Sequence, residues 1–328
     1  MNGCTETDKP QISIVMAVYE PNLQWFREQL DSLEIQTYPN LELLVIDDCS
    51  PTVPFETVRQ CVAESIRSFP YQVQRNEKNL GSNGTFEKLT QQARGKYIAY
   101  CDQDDVWLPE KLEILQRVIE QTGAKLVCSD MYIIDGQGHQ TADSITKVRR
   151  HHVFHSGENL AEGLLFHNFV TGCTMLMPTD LAKQAMPFCP YMVHDHYLAL
   201  FASMFGMIQS LDTSLIRYRI HGGNQTGILA GVTNKKSYCQ IRIVVPLKKF
   251  EWIENNLKMS KKLYEIVKQG QQWFEARKKY FEGDKRCIYI IWKYRKFSIL
   301  PSVFEILAGM LPDSIFMMFI HKTQRNQL

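Results

Sequence analysis

No two of the nine cysteines lie close enough for a CxxC pair; they stand at positions 4, 49, 61, 101, 128, 173, 189, 239 and 287. An odd, scattered set matches neither zinc-ligand spacing nor the dense framework of a small secreted domain, so a reducing compartment is expected. Long apolar runs are missing too. No stretch of about 18 uncharged apolar residues occurs, and the nearest, 297–320, is broken by Pro301, Glu305, Pro312 and Asp313. A spanning helix is therefore not expected. The first ten residues are polar and hold no signal-peptide core. Glycine-rich phosphate cradles are absent as well. No GxxxxGKS/T loop occurs, and Gly81-Ser82-Asn83-Gly84 does not supply GxGxxG. Nor is there a charge excess, since 37 Lys+Arg meet 35 Asp+Glu for a net of +2, so nucleic acid is not an expected partner.

What is present is a chain of 328 residues, 45% apolar and 22% charged, enough to bury one large core or two modest ones. Mean hydropathy is -0.24, which fits a globular protein and not a disordered one. The even charge balance hides an asymmetry. Residues 231–328 carry nineteen Lys+Arg and eight Asp+Glu, whereas 1–230 carry eighteen and twenty-seven. An acidic front and a basic back imply two regions with different partners.

The front alternates between two periods. Apolar runs at 12–18 and 41–46, with shorter ones at 97–101 and 126–129, read as strands, the first buried on both faces, and 71–75 reads as a further short strand. Helical spacing separates them at 22–36, 55–69, 81–92 and 110–121, the last opened by Pro109. This alternation predicts βαβ units and a mostly parallel, Rossmann-like α/β sheet. Beyond residue 130, strands are expected at 174–177 and 215–219 and a helix at 195–205. After 231 the chain reads as helical.

Ligands of open α/β sheets bind beyond the carboxyl ends of strands. Two acidic clusters fall there: Asp47-Asp48 after the second strand, and Asp102, Asp104 and Asp105 after the fourth. Asp47-Asp48-Cys49-Ser50-Pro51 also reads as a capped turn. Three carboxylates within four residues are harder to explain so, because each raises the pKa of the next unless a cation is near. Mg²⁺ or Mn²⁺ would relieve the repulsion and could bridge to a diphosphate.

These residues carry a resemblance. AVYEPNL at 17–23, VIDDCSPT at 45–52, NEKNLGSNGTFEKL at 76–89 and YIAYCDQDDVWLPEKL at 97–112 resemble the family 2 inverting glycosyltransferases of GT-A fold. VTGCTMLM at 170–177, HDHYLALFAS at 194–203 and YRIHGGNQTG at 218–227 continue it toward the rhamnosyltransferase-like branch. The resemblance spans residues 10–228. It implies a GT-A domain over 1–230, with a nucleotide-sugar half at 10–130 and an acceptor half at 131–230, followed by a helical C-terminal extension at 231–328.

The resemblance also implies roles. Asp47 and Asp48 would contact the nucleotide, with Ala17, Tyr19 and Glu20 lining its pocket and Gly81 beside it. Asp102, Gln103 and Asp104 match the DxD motif that holds metal and sugar-nucleotide. Asp104 and His221 would ligate Mg²⁺ or Mn²⁺. Gly172 and Cys173 match the loop under the donor sugar. Arg219 would neutralise diphosphate or pair with an acidic neighbour. Asp195 matches the base that deprotonates the acceptor; it also suits a helix cap. The usual signature there is an acidic residue before the Asp, and His194 replaces it, as in the rhamnosyltransferase-like branch. His151, His152 and His155 match nothing and read as an acceptor-side loop.

The implied activity is transfer of a hexosyl group, with rhamnosyl from dTDP-rhamnose as the branch suggests, to a lipid-linked or growing surface polysaccharide. The basic, aromatic tail, with Lys285, Arg286, Lys293, Arg295 and Lys296 around IYIIW, suits an anionic membrane surface or a helical bundle closing on itself. The expected location is the cytoplasm, at the inner face of the membrane. Two alternatives remain. Asp102 and Asp104 approximate the nucleophile loop of haloacid-dehalogenase-like phosphatases, which however follows the first strand of its domain. A non-catalytic membrane scaffold would not need Asp104 or Asp195.

Overall fold

The computed structural model describes residues 9–149, 151–221, 229 and 231–325. The chain divides into two compact units. The first comprises Met1–Leu164, Asn168–Phe188 and Val193–Gly222; the second comprises Leu165–His167, Cys189–Met192 and Gly223–Leu328. The boundary expected at 230 falls outside the described residues, as do 222–227 of the YRIHGGNQTG motif.

Unit one is built on a nine-stranded sheet. Its strands are β1 (Ile12–Val18), β2 (Leu41–Asp47), β3 (Tyr71–Arg75), β4 (Tyr97–Cys101), β5 (Val106–Trp107), β6 (Leu126–Ile134), β7 (Gln140–Ala142), β8 (Met175–Pro178) and β9 (Ile208–Arg219). The order is β3-β2-β1-β4-β8-β6-β9-β5, with β7 on β6. From β3 to β4 every pairing is parallel. The doubly wound expectation holds that far. Beyond β4 the sheet is mixed: β8 runs antiparallel to β4 and β6, and β9 is parallel to β6. The run at 126–129 is thus not the next parallel strand, because β8 inserts between it and β4.

Helices α1 (Leu23–Glu34), α2 (Phe55–Ser65), α3 (Gly81–Gln92) and α4 (Lys111–Thr122) accompany the sheet, in which β1, β2 and β4 are buried along nearly their whole length and the edge strand β3 is exposed or half-buried. That is why β1, β2 and β4 read as unbroken apolar runs instead of alternating ones. Asn22 starts α1 by accepting from the N–H groups of Gln24 and Trp25. Phe26, Leu30 and Leu33 then point into the core with no exposure. Truncating Leu30 to Ala would cost about 2–5 kcal/mol, as large cavities do.

In register, Val18 stands opposite Asp47 and Met16 opposite Cys101. The carboxyl ends of β1, β2 and β4 therefore form one edge, and both acidic loops leave from it.

Unit two is helical: Lys235–Cys239, a π-helical turn at Gln240–Val244, Val245–Asn256, Lys261–Phe281, Ile288–Lys293, Ile299–Ala308 and Asp313–Arg325. Among the described residues no helix is long and apolar enough to cross a membrane.

Candidate functional site

The loop after β2 is met by neighbouring segments, with one buried oxygen, Asp47 Oδ2, left without a hydrogen bond. Asp47 is fully buried, and its Oδ1 accepts from the backbone N–H and hydroxyl of Ser50, at 3.2 and 2.5 Å. Its Oδ2 lies 3.3 Å from Arg75 Nε. Asp48 accepts from Asn76 Nδ2 and from the N–H of Leu80, both at 2.8 Å. Gly81 follows with φ +72°, a left-handed conformation that glycine adopts freely, and starts α3 beside Asp48. Glu20 binds the same loop from the other side, accepting from Thr52 N–H and hydroxyl and from Val53 N–H. Those hydrogen bonds hold its carboxyl below the usual range. Asp47, Asp48, Glu20 and Gly81, all expected at a nucleotide pocket, are brought together here as the frame of one loop.

Gln103 ties that frame to the second loop. Its side-chain amide donates to Tyr19 O at 3.1 Å and accepts from Tyr19 N–H at 2.9 Å. The Tyr19 ring itself is exposed, and Ala17 is partly so at the end of β1.

In the loop after β4 the carboxylates crowd one another. Asp105 is fully buried; one oxygen accepts from Arg219 N–H at 3.0 Å, and the other has no hydrogen-bond partner. Burial and the charges of Asp104 and Asp102 push its pKa well up. Asp102 is raised to about 7 by burial, then by the fields of Asp104 and Asp195. Asp104 Oδ2 lies 2.8 Å from His221 Nε2, and the imidazole packs at 4.8 Å against the Trp25 ring.

Two donor sets for a cation follow. Ligand atoms of Asp102, Asp105 and Cys173 lie within 4.8 Å of one another. That group already has a cation beside it: Lys111, fully buried, whose charge acts on Cys173, Asp105 and Asp102. Its ammonium donates to Cys173 O at 2.6 Å and lies over the Trp107 ring. Burial lowers its pKa to about 7. Asp104 with His221 is the second set, and its 2.8 Å separation is that of an ordinary hydrogen bond from Nε2–H to the carboxylate, which a cation would have to replace. Without a proton or a cation between them, a carboxylate oxygen and an imidazole lone pair would not approach so closely.

Arg219 does not face a ligand. It is 1% exposed, and Nε donates to Asp104 O, Nη1 to Asp135 O and Nη2 to Glu28. Of its two expected roles the structure selects pairing with an acidic neighbour, and through it the positioning of Asp104.

Asp195 opens the helix His194–Ser203. One oxygen accepts from Gly172 N–H at 3.0 Å, and the other from His196 N–H and Asn168 Nδ2. Burial nonetheless lifts its pKa to about 6. Gly172 is needed for a reason the sequence did not suggest. A Cβ there would stand 2.7 Å from His194 Nε2. His194 is buried against Phe86 and Tyr100, its Nε2 lacks a partner, and burial lowers its pKa to about 3. The remaining histidines do not converge: His152 packs on Phe154 and His155 on Phe169.

Sequence reasoning missed Lys111, Asn76, Arg75, Trp25 and Asn168. Only Lys111 left a signal. A cation in the first turn of a helix opposes the helix dipole, so Lys111 in α4 needed a tertiary reason to be there.

The sheet order, with the acidic loop after β4 and the helix that begins at His194-Asp195, is that of a GT-A type fold. Solved structures agree on the fold. TarS of S. aureus, residues 1–349 in complex with UDP-GlcNAc, superposes with a TM-score of 0.56 at 16% identity over 92% of this chain and 79% of that one. A mannosyltransferase of Pyrobaculum calidifontis, in complex with GDP-Man and Mn2+, gives 0.55 at 14% identity, covering 93% and 80%.

Residues 13–183 match the family model described as glycosyl transferase family 2, and the chain belongs to that family. An uncharacterized glycosyltransferase of Methanocaldococcus jannaschii is 33% identical over 135 residues, 40% of this chain and 46% of that protein. One of Rickettsia conorii is 25% identical over 312 residues, 91% of this chain and 48% of its own length. The chain thus spans about half the length of these two relatives. The phosphatase alternative falls with the family and with the place of the motif after β4.

Proposed function

We propose that the enzyme transfers a hexosyl group from a nucleotide diphosphate sugar with inversion, by single displacement. The observation that carries this reading is Asp195, a half-buried carboxylate in the first turn of its helix, held by Gly172 N–H next to Cys173, whose thiol lies within 4.8 Å of Asp102 and Asp105. Asp195 takes the proton of the acceptor hydroxyl as its oxygen bonds to the anomeric carbon, and the bond from that carbon to the diphosphate oxygen breaks. Asp104 and His221 are the residues that would hold Mg²⁺ or Mn²⁺, with Arg219 and Gln103 fixing the loop. Such an ion, when bound, would neutralise charge on the departing diphosphate. Asp47, Asp48, Glu20 and Gly81 keep the nucleotide side rigid; contacts from Ala17, Tyr19 and the acidic pair to base and ribose belong to this proposal.

The TarS and mannosyltransferase complexes support a nucleotide-sugar donor. The resemblance of HDHYLALFAS to the rhamnosyltransferase-like branch favours rhamnosyl from dTDP-rhamnose, and a lipid-linked or growing surface polysaccharide as acceptor. The enzyme would then work as a peripheral protein at the cytoplasmic face of the membrane. The test is Asp195→Asn. Transfer should fall about 10²–10⁴-fold, with nucleotide-sugar affinity in Mn²⁺ unchanged. Transfer at the wild-type rate would remove Asp195 as the base. Thermal stabilisation by a panel of nucleotide sugars identifies the donor.

A further inference from the structure

The helix Ile299–Ala308 is amphipathic in the inverted sense. Ser302, Glu305 and Ala308 are fully buried, while Ile299, Leu300 and Leu307 are 62%, 72% and 58% exposed, with Val303 beside them at 38%. At about 100° per residue the four apolar side chains fall within one arc of about 100°, and the three buried residues fall opposite. The inward face is specified by chemistry. Glu305 receives Arg277 Nε at 2.6 Å and the Tyr238 hydroxyl at 2.8 Å, a buried pair that fixes which side faces in. Breaking such a pair is costly, so the helix does not roll over.

The neighbouring helices behave alike. Tyr289 and Trp292 project from Ile288–Lys293 around the buried Ile291, and Met318 and Phe319 from Asp313–Arg325 around Phe316. Among the described residues, eleven of the twenty-three exposed large apolar side chains fall between 289 and 319. Such clustering on a folded surface marks an interaction site.

Charge selects the occupant. Residues 285–325 hold seven Lys and Arg against Glu305 and Asp313. Glu305 is buried on Arg277, whereas Lys293, Arg295, Lys296 and Lys322 are exposed. A second copy would bring like charge against like, and protein interfaces are depleted in lysine. Anionic lipid meets both features. Cations settle at the headgroups, Trp and Tyr at the boundary, and the apolar arc among the acyl chains. We infer that the helices within 288–325 lay this outward face in the interface of an anionic bilayer. The inference deepens the membrane placement proposed above, but its evidence is independent of the catalytic reading.

The experiment uses the full chain and vesicles of phosphatidylcholine with or without phosphatidylglycerol. Co-sedimentation should require the anionic lipid and weaken with salt. Leu300→Asp with Leu307→Asp should reduce binding about tenfold or more. Lys293→Glu with Lys296→Glu should reduce it about tenfold on anionic vesicles. All four side chains are exposed, so thermal melts should match wild type. Absence of wild-type binding, or equal binding by the leucine variant, would overturn the inference. A dimer in sedimentation equilibrium that the leucine variant disperses would assign the face to a second copy instead. Nucleotide-sugar binding in Mn²⁺, measured on the same variants, should not change. Its loss in wild type would count against the catalytic reading alone.

Discussion

Two acidic loops leave the same edge of the sheet and meet opposite fates. After β2, Asp47 and Asp48 are met by Ser50, Arg75, Asn76 and the Leu80 N–H. After β4, Asp105 keeps an unpartnered oxygen, Asp102 is raised to about 7, and Asp104 leans on a histidine. The sequence shows two similar strings of aspartates. Each loop keeps one buried oxygen without a hydrogen bond, and the surroundings separate them: Asp47 Oδ2 faces the Arg75 guanidinium, whereas Asp105 is crowded by Asp104 and Asp102. Unmet negative charge, more than the presence of carboxylates, marks where chemistry is prepared.

The sharpest way to break this contrast is to remove a basic side chain from beside each loop. Lys111→Met strips the buried ammonium from the floor of the β4 loop and leaves Asp102, Asp105 and Cys173 without it. Loss of one partner of a buried charge group should cost about 3–5 kcal/mol, read as a fall in the urea midpoint. Arg75→Met removes the partner of Asp47, but Arg75 is 37% exposed. Its cost should stay below about 1 kcal/mol. Equal costs would mean that the two loops are electrostatically alike.

Asp104→Ala comes next. Mn²⁺-dependent affinity for the nucleotide sugar should fall about 100-fold, since second-sphere support from Arg219 cannot replace a lost ligand. Isothermal titration with and without Mn²⁺ measures it. Unchanged affinity would dissolve the pairing of Asp104 with His221 as a metal site.

Asp47→Ala tests the other loop. It deletes the bonds from Ser50 and the pair with Arg75, and should cost about 1–3 kcal/mol of stability. Mn²⁺ affinity should hold within a factor of about two, because additivity is expected for loops without shared partners. If metal binding fell with stability, the two loops would be one unit, joined through Gln103.

How much of this was legible follows the same division. Strands β1 and β4 have the bounds that apolar runs suggest, because burial on both faces leaves a local mark, and β3 and helix α3 also fall where expected. The pairing beyond β4 has none. Nothing in Met175–Pro178 states that it will slip antiparallel between β4 and β6. The short β5, two residues after the DxD loop, was hidden for the same reason. At the site, the aspartates of the two loops stand out by residue type, and His221 and Asp195 only through the family resemblance. Arg219 was ambiguous because its partner Glu28 is far away along the chain. Gly172, matched to the loop under the donor sugar, carries a constraint its sequence does not show: its missing Cβ makes room for His194. In the C-terminal unit, Ser302 and Glu305 look like an outward face until Arg277 and Tyr238 turn them inward. Long-range partners decide such cases, and spacing does not carry them.

The smallest effect concerns Asp195, which belongs to neither loop. Burial raises its carboxyl to about 6 against the opposing hydrogen bonds of Gly172 and His196. A base must be ionised, so transfer should be halved near pH 6 and fall about tenfold per unit below it. The sign for stability is opposite. A raised carboxyl binds its proton in the folded state before the unfolded one does, so its stabilising contribution is full below the ordinary carboxyl range and is lost as pH rises through about 6. The enzyme should therefore gain activity over the interval in which this group withdraws stability. Initial rates and urea midpoints, both taken from pH 5 to 8, check the pair. A rate profile flat to pH 5 would show that Asp195 is not held out of water as the fold implies, and would weaken its standing as the base more than any loss of activity on substitution could strengthen it.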